Sequence, residues 1–399
     1  MFFETDYARR VDFDRLRADR LAKTKAGMEA EGFDALLTFK YESIRYITGL
    51  RPLWFPFVQL RNAALLVRGD EIPYCYVTGG DWDHRHQTMY WLPKDRIRIL
   101  PPVEDPVLVK KTVPLFVKAL EESGFSGKRI GVDVVYLYLL DALQEAMPGC
   151  EFVDCDTFMR KMRVVKNAEE IKLMRIASAC VDIAFDKAAR AVEVGRRECE
   201  IFGEAAKALY SLGMEIPQCS SIVASGDHLA PLARFASERM VRAGELVFMD
   251  FGGCFHGMFA EATRTVVCGE PNSDQRAIYR AVHAALQAVL KAMRPGNTNE
   301  DMHRAAAREY EKHGFGKYAL ATVLGHSIGT SGWEPPTIGD PSVTGEIVTL
   351  EPGMIYSIEP TIIVPGVQGG GGVRLEEEVL ITETGCEVLT RAPFDPKLI

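Results

Sequence analysis

Residues 245–265 read ELVFMDFGGCFHGMFAEATRT, and this stretch decides the fold. Two apolar, strand-forming runs flank Gly252, Gly253 and Gly257, the pattern of a strand, a tight turn and a returning strand. Within the two runs, beyond the opening Glu245, stand Asp250 and Glu261, eleven positions apart. An ionised carboxylate is costly to bury in an apolar strand without a partner. A hairpin places the two on adjacent strands, within reach of a shared cation. The arrangement recurs further on, where GMIYSIEPTIIV (353–364) and VRLEEEVLITETG (373–385) flank the glycine-rich PGVQGGGG and carry Glu359 and Glu376. His326 lies between the two pairs, in LGHSIG (324–329), a segment that reads as a short strand or turn.

Outward from these pairs, helical patterns alternate with them. Asn167 with Glu170 three positions on is a helix start, and that helix runs through IKLMRIASACVDIAFDKAARAVEVG to Gly195. A second helix covers roughly Glu198 to Leu212. After the first strand pair come the helices DQRAIYRAVHAALQAVLKAM and NEDMHRAAAREYEKHGF. The order is thus helix, helix, strand pair, twice over. Two such halves facing each other bring Asp250, Glu261, Glu359 and Glu376 to one seam. Four carboxylates and an imidazole form a site for one or two divalent metals, and a metal-assisted hydrolase is the implied activity. Singly, each residue has a plainer reading: Asp250 before Gly-Gly as a turn former, Glu377 and Glu378 as a solvated acidic run. Five together favour a site, because paired buried carboxylates need cations to coexist.

The first 160 residues alternate strands and helices. The amphipathic helix FDRLRADRLAKTKAGMEAEG precedes the strand DALLTF, and strand-like runs recur at AALLVRG, IPYCYV, RIRIL, RIGVDVVYL and EFVDC. DPVLVKKTVPLFVKALEESG is a helix among them. No G-x-G-x-x-G follows the first strand, so a dinucleotide site has no support. The expected division is an α/β domain over 1–160 and an α+β domain over 161–399.

The chain has 399 residues, 47% apolar and 26% charged, as in globular two-domain proteins. Its net charge of −8, without a Lys/Arg block, argues against nucleic acid as partner. No apolar run reaches the ~18 residues a membrane span needs, and the charged N-terminus lacks a signal-peptide core. Nine cysteines without a C-x-x-C pair fit a reduced, cytoplasmic setting.

At these residues the chain resembles the pita-bread metallopeptidase superfamily, peptidase family M24, which includes prolidase, Xaa-Pro aminopeptidase, methionine aminopeptidase and creatinase. SIRYITG (43–49) is similar to the N-domain signature of the creatinase and prolidase branch. MRVVKNAEEIKLMRIA (162–177) is similar to its domain-linking helix, and LEPGMIYSIEP with VRLEEEVLI to its C-terminal half. The resemblance implies a creatinase/prolidase-type α/β N-terminal domain and a pita-bread C-terminal domain with a curved antiparallel sheet backed by helices. It also implies a homodimer and one or two divalent ions (Mn, Zn, Co or Fe). The family's ligands fall on Asp250, Glu261, His326, Glu359 and Glu376. Glu261 departs from the family, which has Asp there, and its extra methylene can leave fewer than two ions. Two histidines that bind the scissile amide in the peptidases fall here near Ala233 and Arg234 and on Trp333. GHS at 325–327 is shared with creatinase, where the peptidases have GHG.

The implied reaction is hydrolysis of an amide-type C–N bond, in a dipeptide or another small molecule. In the metal-bound reading Glu359 takes and returns the proton; in a metal-poor alternative Glu261 and Glu359 act as acid/base groups and His326 moves the proton. Alternatives are a creatinase-like hydrolase or a lyase of a small metabolite with little or no metal, and a non-catalytic binding protein. Candidates for substrate contact are Trp333, Arg234, His228 and Arg374. Arg51 and Arg61 can hold a carboxylate, and Trp54, Phe55 and Phe57 an apolar or cation-binding wall. Asp81, Asp83, His84 and His86 read as a solvated loop, and His283, His303 and His313 as structural helix residues.

Overall fold

A computed structural model describes residues 10–51, 60–215, 221–230, 235–320 and 323–399. The chain divides into two compact units, one spanning Val11–Arg163 and the other including Val164–Ile399.

In the first unit, a six-stranded sheet is built from β1 (Ala35–Thr38), β2 (Ala63–Val67), β3 (Tyr74–Val77), β4 (Ile97–Ile99), β5 (Arg129–Val132) and β6 (Glu151–Asp154), in the order β4-β3-β2-β1-β5-β6. β1 pairs parallel with β5 and antiparallel with β2. Its helices are α1 (Phe13–Glu31), α2 (Tyr41–Thr48), α3 (Trp82–Thr88), α4 (Pro106–Glu122), α5 (Leu137–Ala146) and α6 (Asp156–Val164). Successive strand residues face opposite sides: Leu37 and Leu65 join the cluster around Phe116, while Leu36 and Leu66 join the one around Met28 and Phe158. Both faces are covered, which is why these strands read as unbroken apolar runs.

Two local expectations are corrected. RIGVDVVYL is not one strand: β5 ends at Val132, and the Asp133 carboxylate turns the chain by accepting the backbone N–H groups of Phe39, Lys40 and Val134. The Asp81–His86 segment is helical rather than a loop, and although Asp83 and His84 are exposed as expected, Asp81 is not. The segment forms α3, with Asp81 and Arg85 buried as an ion pair at 2.7 Å and His86 bonded to the Ile97 carbonyl.

The second unit opens with α7 (Ala168–Arg190), whose N-terminus is the Asn167–Glu170 capping box, and α8 (Glu198–Ser211). One sheet is β7 (Ser221–Ser225), β8 (Glu245–Phe255) and β9 (Met258–Cys268), followed by α9 (Ser273–Ala292) and α10 (Asn299–Lys312). A second sheet has the order β11-β10-β12-β15-β16, from β10 (Val323–Ser327), β11 (Glu334–Gly339), β12 (Ile355–Ile358), β15 (Glu377–Ile381) and β16 (Cys386–Val388). β13 (Thr361–Ile363) and β14 (Gly372–Arg374) form a separate ribbon. The sheets meet where the Glu376 N–H donates to the Thr263 carbonyl. Leu286, Val289, Met302 and Tyr310 of α9 and α10 pack with Phe248, Tyr356 and Val379 in one core. No described helix is long and apolar enough to cross a membrane.

Candidate metal centre

The β8–β9 hairpin turns on His256 and Gly257, both at positive φ (46° and 84°), the geometry of a two-residue hairpin loop. Its register sets Gly252 opposite Glu261 and Asp250 opposite Thr263, so Asp250 and Glu261 are diagonal neighbours on one face. Gly252 is required there, since a Cβ would lie 2.0 Å from the Ala260 carbonyl oxygen. Gly325 plays the same part beside His326, where a Cβ would lie 2.0 Å from the Ser357 carbonyl oxygen of β12. Because both obstacles are backbone, Gly325→Ala is expected to lower stability by about 1–3 kcal/mol in urea unfolding. An unchanged midpoint would refute this close approach.

His326 pairs with Ser357 across β10 and β12, and Glu359 follows β12 with its N–H on the Leu324 carbonyl at 2.7 Å. Among the described residues, Glu261, His326 and Glu376 bring ligand atoms within 4.8 Å of one another. His326 Nδ1 lies 3.1 Å from the Ser327 carbonyl oxygen, which can only accept, so the proton sits on Nδ1. Nε2 therefore turns a lone pair towards Glu261 Oε1 at 3.2 Å and Glu359 Oε1 at 4.0 Å. Glu261 Oε1 is buried with no hydrogen-bond partner. A lone pair and an ionised carboxylate oxygen facing each other in a buried site repel unless a proton or a metal ion lies between them. The donors present therefore fit a divalent ion.

The remaining bonds orient this set. Glu376 accepts the Ser357 hydroxyl at 2.6 Å and also that of Thr263. Arg374 Nη1 lies between Asp250 Oδ2 (2.9 Å) and Glu359 Oε2 (2.8 Å), and its Nε donates to Thr361 Oγ1 at 2.9 Å. Burial raises the Glu261 carboxyl far above its ordinary range, and the charges of Glu376, Asp250 and Glu359 add to the effect. Burial likewise raises Glu376 and Glu359, with the Arg374 charge opposing, and lowers His326. Burial also works against the charge on Arg374, but Glu359 and Asp250 outweigh it and hold the guanidinium protonated.

Of the other candidates, Trp333 is 56% exposed and tilts over His326 with ring centroids 5.8 Å apart. His228 Nδ1 faces Glu198, which also accepts N–H and O–H bonds from Ser225 and Ser237, so its described partner is none of the five. Arg61 pairs with Glu104 and Arg51 is exposed. Ala233, Arg234, Trp54, Phe55 and Phe57 lie outside the described residues. His283 and His303 lie on α9 and α10, and His313 caps α10.

The expectation of a solvated run at Glu377 and Glu378 is overturned: both are buried. Glu377 pairs with Arg264 at 2.8 Å, and the same guanidinium donates to the carbonyls of Thr263, Glu376 and Ala392. Glu378 accepts the Glu261 N–H at 2.9 Å and meets Ser178 of α7. Ser178 Oγ is also 2.8 Å from the Met174 carbonyl, and its one proton cannot serve both oxygens. Burial, which pushes the Glu378 carboxyl up to about 8, supplies the second proton. Strand periodicity carried the signal: once Glu376 faces inward, Glu378 two positions on does too.

The profile of metallopeptidase family M24 matches residues 172–383, and that of the creatinase/prolidase N-terminal domain matches residues 20–165. The Xaa-Pro dipeptidase of Pyrococcus furiosus is 28% identical over 374 residues, 94% of this chain and 98% of that relative. The Xaa-Pro dipeptidase of Lactobacillus helveticus is 34% identical over 259 residues, 64% of this chain and 68% of that relative. The crystal structure of the prolidase from Pyrococcus horikoshii superposes with a TM-score of 0.79 at 26% identity, over 96% of this chain and 100% of that one. The chain therefore belongs to metallopeptidase family M24, in the pita-bread fold, with a creatinase/prolidase N-terminal domain.

Proposed function

We propose that this chain is a metal-dependent hydrolase of peptide C–N bonds, acting on small substrates of the Xaa-Pro dipeptide class. The observation that carries this reading is the buried Glu261–His326–Glu376 cluster, with the Nε2 lone pair of His326 turned into it. These three residues would hold one divalent ion, and a mixed imidazole and carboxylate donor set suits Mn, Zn, Co or Fe. Asp250 and Glu359 flank it and share the charge of Arg374. When bound, the ion would supply Lewis acidity toward the scissile carbonyl and lower the pKa of a water.

Glu359 moves the proton. Its Oε2 is tied to Arg374 while Oε1 faces His326, so one oxygen is anchored and the other is presented to the site. Burial raises its pKa towards the range where a carboxyl can both accept and return a proton. Glu359 therefore accepts a proton from the attacking water and delivers it to the leaving nitrogen. His326, neutral and fixed by the Ser327 carbonyl, serves as ligand. Trp333 offers an indole face beside His326 to the apolar side of the substrate, in the place where the peptidases have histidine. Arg234 and His228 are the further substrate-contact candidates from the sequence, and a homodimer is the assembly implied by the resemblance. A metal-poor or non-catalytic site has less support, because Glu261, His326 and Glu376 converge their ligand atoms within 4.8 Å of one another in a buried site.

Chelation tests this directly. Metal-depleted protein is expected to lose about a hundredfold or more of its activity on Xaa-Pro dipeptides. Mn²⁺ or Co²⁺ should restore it, with close to one ion per chain by elemental analysis. Full activity in metal-free protein would overturn the reading.

A further inference from the structure

Glu261 is held from behind by a carboxyl that the reaction above does not use. β9 pairs with β8 on one side, where Glu261 stands opposite Gly252. On its other edge the backbone bonds are the Glu376 N–H on the Thr263 carbonyl and the Phe259 N–H on the Gly329 carbonyl, one on each side of Glu261. Between them, the Glu261 N–H finds the side chain of Glu378, at 2.9 Å, as its acceptor. The carboxyl thus stands in for a ladder partner. Its other oxygen is anchored on Ser178 of helix α7, so the contact ties the strand bearing Glu261 to the helix packed behind it. Glu378 and Ser178 are both fully buried.

This matters because a glutamate reaches its ligand position through one more rotatable bond than an aspartate, and freezing that bond opposes binding. Fixing the backbone at Glu261 removes part of the freedom that metal binding would otherwise have to remove. We propose that Glu378, anchored by Ser178, is the positioning residue that aims Glu261 at the metal. The proposal rests on the metal-binding reading above. Contacts that orient a ligand in this way are worth roughly 10–100-fold in metal affinity.

The test is a calorimetric titration of Mn²⁺ into metal-depleted full-length protein, well below the unfolding temperature, alongside a thermal melt. Glu378→Leu removes both bonds and is expected to weaken Mn²⁺ binding by about 10–100-fold. Glu378→Gln keeps an oxygen for the Glu261 N–H and a donor for Ser178, and is expected to stay within about threefold of the parent protein. Ser178→Ala unties only the anchor and is expected to weaken binding about fivefold. If Glu378→Leu melts lower yet binds Mn²⁺ as tightly as the parent protein, the role is structural only and the proposal is overturned. Should Glu378→Leu fail to fold, Ser178→Ala decides: unchanged Mn²⁺ affinity overturns the proposal. A parent protein that takes up no Mn²⁺ would overturn the metal-binding reading itself, and this inference with it.

Discussion

Glu376→Gln is expected to reduce kcat/KM on an Xaa-Pro dipeptide by roughly a thousandfold or more, about 4 kcal/mol of transition-state stabilisation. Glu376 is the carboxylate that closes the cluster with Glu261 and His326, and its two oxygens are aimed by the hydroxyls of Ser357 and Thr263. An amide there removes one ligand charge and turns N–H donors towards one of the two hydroxyls that donate to the carboxylate. Elemental analysis should find the bound metal lost along with the activity. The loss should not be one of folding. Glu376 is among the charges that raise the Glu261 carboxyl, so removing it relieves repulsion in the metal-free site. The metal-free variant should then melt no lower than the metal-free parent. A variant that retained its metal and its activity would show that Glu376 is not a ligand.

Arg264→Met is the largest expected change in stability, a loss of about 3–5 kcal/mol at pH 7.5. Arg264 is among the largest fully buried side chains, and the guanidinium is the ion-pair partner of Glu377. Methionine fills part of the volume but leaves Glu377 buried without its cation. Burial already raises the Glu377 carboxyl above its ordinary 4.5, and the Arg264 charge pulls it back, so the variant must raise it further. A group whose folded pKa is raised contributes stability that is full below its unfolded pKa and declines as pH rises through the folded value. The deficit should therefore be smaller in urea titrations at pH 5 than at pH 7.5. A pH-independent deficit would mean that lost packing or lost backbone bonds, rather than the stranded acid, cause it. The activity of this variant should fall with its stability, because Arg264 also holds the carbonyl of Glu376.

Much of the architecture was legible in the sequence because it rests on local rules. The β8–β9 pair followed from apolar runs broken by glycine, and α7 from an asparagine with a glutamate three positions on. The second expected pair is instead split, β12 pairing with β15 in one sheet and β13 with β14 in a separate ribbon. Family motifs spanning both halves of the chain identified the fold. Errors arose where a short polar segment was read without its tertiary surroundings. Asp133 was absorbed into a strand because Val and Tyr follow it, although the residue ends the strand by accepting three backbone N–H groups. Asp81 looked solvated because no local pattern reveals that it meets Arg85 in a buried pair.

The sequence by itself determined which residues could form the site. Acids stranded in apolar strands, and a histidine between them, have few inexpensive environments other than a cation site. Only the tertiary structure decided how those groups divide. It brought Glu261, His326 and Glu376 together, set Arg374 between Asp250 and Glu359, and buried Glu377 and Glu378 behind them. The physical reason is that strand alternation fixes the face a residue occupies, whereas the partner across that face comes from a strand or helix a hundred or more residues away. Ser178 meeting Glu378, and Asp250 meeting Arg374, are contacts of this kind.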